Sequence, residues 1–66
     1  MNQIAQQLKE RNIAEYLIYM WQEEDLIRAN HCEPEELETN VIVRYPEDQR
    51  AAMREWYGNL ITMMSE

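Results

Sequence analysis

Ile13-Ala14-Glu15-Tyr16-Leu17-Ile18-Tyr19-Met20-Trp21, running on through Gln22-Glu23-Glu24-Asp25-Leu26-Ile27-Arg28-Ala29, decides the fold. No Gly or Pro interrupts it, so it reads as helix. Its first half is apolar almost all the way round, with Glu15 the only charge. A helix of that kind is covered by neighbours on more than one side. Extended outward, the same reading gives one helix from near Gln3 to near Asn30, about 40 Å long at roughly 1.5 Å per residue. Two apolar seams run along it on nearly opposite faces. Ile13, Tyr16, Leu17, Met20 and Ile27 form one; Ile4, Leu8, Tyr19 and Leu26 form the other. Glu24 falls inside the first seam. Asn30-His31-Cys32 ends the helix, with Asn30 tolerant of the left-handed conformation found at helix C-termini.

Downstream, Pro34 with Glu35 and Glu36 behind it marks a second helix start, because proline fits the first helical position and acids suit the first turn. Leu37 and Val41 face inward from this short element. Val41-Ile42-Val43 is β-branched, but one such segment has no second strand to pair with, so it is read as helical. Tyr45-Pro46-Glu47-Asp48 repeats the start signal for a third helix, about 27 Å long. Its apolar positions are Ala52, Met53, Trp56, Tyr57, Leu60, Ile61, Met63 and Met64, the cleanest amphipathic pattern in the chain. Gly58 sits on its polar side. The chain is therefore expected to be all-α: a single domain, residues 1–66, in which a long helix, a short helix and an amphipathic third helix pack as a three-helix unit.

Size and charge narrow the function classes. A chain of 66 residues makes one small domain, and at this length a core alone is marginal. Cys32 is the only cysteine, which excludes a disulfide framework. The start, Met1 to Lys9, lacks a basic region followed by an apolar run, and no stretch is apolar enough to span a bilayer. A free thiol without a secretory signal points to the cytoplasm. The formal net charge is −7. The acid is concentrated in Glu23, Glu24, Asp25, Glu33, Glu35, Glu36 and Glu38, opposed only by Arg28. Such a chain repels phosphate backbones, which argues against nucleic-acid binding.

The third helix has one apolar face and the first has two, so cover runs short. Ile4, Leu8 and part of the Tyr19–Leu26 seam are expected to stay uncovered in a monomer, and exposed apolar area of that kind marks an interface. Ile4, Leu8, Tyr19 and Leu26 are the expected contact residues for a homo-oligomer, with a dimer favoured, or for docking onto other helical segments.

Several runs carry a resemblance: Ile4-Ala5-Gln6-Gln7-Leu8-Lys9, Asn12-Ile13-Ala14-Glu15-Tyr16-Leu17, Tyr19-Met20-Trp21-Gln22 and Glu24-Asp25-Leu26-Ile27-Arg28-Ala29. Tyr45-Pro46, Glu55-Trp56-Tyr57, Asn59-Leu60-Ile61 and Met63-Met64 extend it over nearly the whole chain. Together they resemble the N-terminal region of a family of uncharacterised helical proteins, a domain of unknown function typical of Bacteroides-type bacteria. The resemblance implies no established chemistry. Members of that family are longer, so it also implies that further helices could pack on the uncovered seam.

Candidate chemical sites read more simply as structure. His31-Cys32 joins a metal-ligand type to a nucleophile, but a catalytic thiol needs a base within reach and an orienting third group, and zinc wants four ligands at loop spacing. The simpler reading is a loop at a helix terminus. Glu23-Glu24-Asp25 cannot converge on one ion, since consecutive helical residues point about 100° apart. Their simpler reading is a solvated face with Glu24–Arg28 an i,i+4 pair. If the seam around it is buried, Glu24 needs a partner such as Arg50 or Arg54. The aromatic and methionine side chains read as core or subunit interface rather than a ligand groove. No catalytic residue, metal ligand or cofactor is expected, and the chain reads as a non-enzymatic interaction module. Two other classes compete with it: an acidic inhibitor that mimics nucleic acid through the Glu23–Glu38 run, and a metal or thiol site at His31 and Cys32.

Overall fold

The computed structural model describes residues 2–66. These form four α-helices and one 3₁₀ turn: α1 (Gln3–Arg11), α2 (Ile13–Ala29), α3 (Pro34–Asn40), the 3₁₀ turn (Ile42–Arg44) and α4 (Glu47–Met64). The all-α class holds. The single long first helix does not, and with it goes the three-helix unit. Asn12 breaks the helix with an extended backbone, φ −155° and ψ 104°. Its N–H bonds the Leu8 carbonyl, closing α1, while its side-chain oxygen accepts from the N–H groups of Ala14 and Glu15, opening α2. One asparagine thus satisfies the orphan groups of two helix ends.

The break lets α1 fold back along α2. Asn2 caps α1 by accepting from the Ala5 N–H, and its amide donates to the Tyr19 hydroxyl at 2.8 Å. Ala5 is fully buried in the contact. Near the bend, the Lys9 ammonium lies 5.7 Å from the Tyr16 ring centre, within cation–π range.

At the far end of α2, Asn30 is not the left-handed residue. Its φ is −101°, whereas His31 and Cys32 take φ of 61° and 56°. Asn30 is buried instead. Its amide donates to the Leu26 carbonyl and its side-chain oxygen accepts from Asn40, fastening the end of α2 to the end of α3. The segment read as helical at Val41-Ile42-Val43 tightens into the 3₁₀ turn and buries Ile42. Arg50 of α4 holds that turn by donating to the carbonyls of Val43 and Tyr45.

The core gathers Ala5, Ile27, Leu37, Ile42, Met53, Trp56, Tyr57 and Leu60. Four of these come from α4, whose inner face is the amphipathic stripe legible in the sequence. The Cα envelope measures 32 × 29 × 16 Å. A helix with side chains is about 10–12 Å across, so a slab this thin leaves each helix an outer face.

Candidate functional site

Three regions of the surface and core stand out. The first is a groove of about 610 Å³ between α2 and the end of α4. Tyr16, Leu17, Met20 and Trp21 line one side, Leu60, Met63 and Met64 the other, with Glu24, Arg28 and Cys32 at one end. Leu17, Trp21 and Met63 are 44%, 60% and 65% exposed. Ile13 and Ile18 continue the exposed apolar surface along α2. The sequence places Ile13, Leu17 and Trp21 four residues apart, which sets them on one stripe of the helix.

The second region is a cleft of about 670 Å³ between the start of α1 and the first two-thirds of α4. Tyr19, Tyr45 and Trp56 supply its aromatic surface. Asn2, Ile4, Met53, Asp48 and Glu55 also line it.

The third is a buried polar cluster that the sequence did not reveal. Glu23, read as part of a solvated face, is only 9% exposed. It acts on the hydroxyls of Tyr19 and Tyr57, with Tyr45 alongside. Burial, reinforced by the Glu23 carboxylate and only partly offset by the Asn2 hydrogen bond, raises the Tyr19 phenol to about 12. Burial raises Tyr57 further still, again with Glu23 adding to it. Glu23 Oε2, the Tyr57 hydroxyl and the Trp56 indole N–H are buried without a hydrogen-bond partner among the described residues. A helical wheel could have flagged Glu23, which lies four residues from both Tyr19 and Ile27.

The four expected contact residues do not make one surface. Ile4 is exposed, Leu8 is half-buried, and Tyr19 and Leu26 are half-buried against the chain's own core. Ile4 and Tyr19 meet on the cleft, while Leu26 lines a separate recess with Val41 and Arg44. Glu24 is half-buried and takes Arg28 as its partner at 3.3 Å. Arg50 holds the 3₁₀ turn and Arg54 bridges to Glu38 of α3, so neither reaches Glu24. His31 pairs with Glu36 at 2.9 Å through Nδ1, and Cys32 is exposed. Among the described residues, no group of three or more His, Cys, Asp or Glu side chains could hold a metal ion. No described helix is long and apolar enough to cross a membrane.

No curated protein and no solved structure matches the chain. A family profile matches residues 2–66, which spans all the elements above. On that match the chain belongs to the family described as Domain of unknown function (DUF4924).

Proposed function

We propose that this chain is a non-enzymatic, cytoplasmic interaction module whose partner is a second copy of itself. The observation that carries the proposal is the groove of Leu17, Trp21 and Met63, where three large apolar side chains stand open to water on one site. Exposed apolar surface concentrated in this way marks interfaces, and aromatic and methionine side chains are favoured at their centres. The exposed thiol of Cys32 suits a reducing compartment.

The contact residues of this interface are Ile13, Leu17, Trp21 and Met63, in place of Ile4, Leu8, Tyr19 and Leu26.

Sedimentation equilibrium across a dilution series tests the reading. A dimer in the natural chain that becomes a folded monomer in Leu17→Asp/Trp21→Asp supports it. Both side chains are exposed, so the monomer's fold should survive. A monomer at every concentration, or a dimer indifferent to those substitutions and lost with Leu8→Asp/Leu26→Asp, refutes it.

A further inference from the structure

The cleft beside α1 shares no lining residue with the α2 groove, and its chemistry is different. Its lining holds three aromatic rings, Tyr19, Tyr45 and Trp56, and two carboxylates, Asp48 and Glu55, but no Lys or Arg. Asp48 and Glu55 lie seven residues apart on α4, two turns and about 10 Å along one face. Ala52 stands between them and is exposed, so its methyl leaves the floor of the cleft open. Gln3, Gln49, Asn59 and Asn2 add amide groups that can accept hydrogen bonds.

Aromatic faces attract cations through their quadrupoles, and carboxylates add charge-assisted hydrogen bonds. An inorganic cation gains little here, because the two acids are too far apart to share it. An anion is repelled. From this arrangement we infer that the cleft binds an aliphatic di- or polyamine. One ammonium group sits at Asp48 and another at Glu55, with the methylene chain laid over Ala52 and against the half-buried rings of Tyr19 and Tyr45. An extended triamine spans a distance similar to that between the two carboxylate positions.

Isothermal titration calorimetry of the natural chain with spermidine in about 0.1 M salt, where the Debye length is about 10 Å, tests the site. The expected result is one spermidine per chain, weakened at least about tenfold in Asp48→Asn/Glu55→Gln. Glu35→Gln/Glu36→Gln removes the same charge from α3, outside the cleft, and should leave the affinity within about twofold, because exposed charges further apart than a Debye length are largely screened. Magnesium chloride at equal concentration should fail to displace spermidine. Absence of binding, equal weakening by the two double variants, or displacement by magnesium overturns the site. Both double variants change solvent-facing or rim carboxylates, so far-UV circular dichroism should show each still folded. The Leu17→Asp/Trp21→Asp chain should bind spermidine as the natural chain does, which separates this inference from self-association.

Discussion

α2 and α4 are nearly equal in length, 17 and 18 residues, yet they use their apolar side chains in opposite ways. α4 buries Met53, Trp56, Tyr57 and Leu60 along one stripe and leaves mostly polar groups outside. α2 is apolar for most of its first half, but its only buried residues are Ile27 and the acid Glu23, both in its second half. The apolar start of α2 goes largely unused by the fold: Ile13, Leu17, Ile18 and Trp21 face water. The difference teaches that helices of similar length can serve different ends. One face of α4 satisfies the core, and the surplus on α2 is what remains for a partner.

The contrast breaks most sharply under truncation. Ile27→Ala and Leu37→Ala each remove a fully buried side chain and should cost about 2–5 kcal/mol in a denaturant titration. Ile13→Ala and Leu17→Ala, on the open face of α2, should change monomer stability by no more than about 0.5 kcal/mol. Equal losses in the two pairs would mean that the α2 face is part of the monomer's core. The titration belongs at concentrations below any dimer dissociation constant, because association adds its own stability.

The next largest effect sharpens the comparison where α2 and α4 meet. Tyr19 and Tyr57 stay protonated beside Glu23 while an unfolded chain ionises its phenols near 10. The folded values are raised, so this stability is fully present below pH 10 and lost as pH climbs through about 12 and beyond. The loss should run at about 1.4 kcal/mol per pH unit for each tyrosine. Denaturant titrations stepped above neutral pH check the slope, and Tyr57→Phe should flatten it. Four phenols titrating together near 10 in a chain that stays folded would contradict the buried cluster.

The parts of this molecule that followed from periodicity were legible in advance. The inward stripe of α4, the proline starts at Pro34 and Pro46 and the inward Leu37 all came from local pattern. Glu23 was only faintly legible: its spacing from Tyr19 and Ile27 put it on the inner side of α2, but an acid between Gln22 and Glu24 looks solvated until Tyr57 of α4 closes over it. The groove was only partly legible. Surplus apolar surface on the first helical stretch followed from composition, but its location depended on where the chain bends. With α1 folded back, Ile4 and Tyr19 are drawn onto one cleft and the exposed side chains shift to the opposite face of α2. The bend itself had a signal. Asn12 with Glu15 three residues on has the spacing of a helix N-terminus, and the uninterrupted apolar periodicity masked it.

That bend supplies the smallest of the expected effects and the one that tests the origin of the spare face. Asn12→Ala removes the side-chain acceptor for Ala14 and Glu15 and should cost about 1 kcal/mol, the usual loss on deleting an asparagine cap. Alanine is also the best helix former, so the substitution favours joining α1 to α2. A joined helix would carry Ala5 out of the core and Asn2 away from Tyr19, and those contacts oppose it. The expected outcome is therefore a chain that keeps its bend at reduced stability, with amide exchange faster at Ala14 and Glu15 and little changed in α4. If the helices instead join, exchange at Ile13 slows as its N–H gains the Lys9 carbonyl, Tyr19 loses its hydrogen bond, and the surface presented by α2 changes with it. The asparagine would then be choosing which face of α2 is left for a partner, as well as capping two helices.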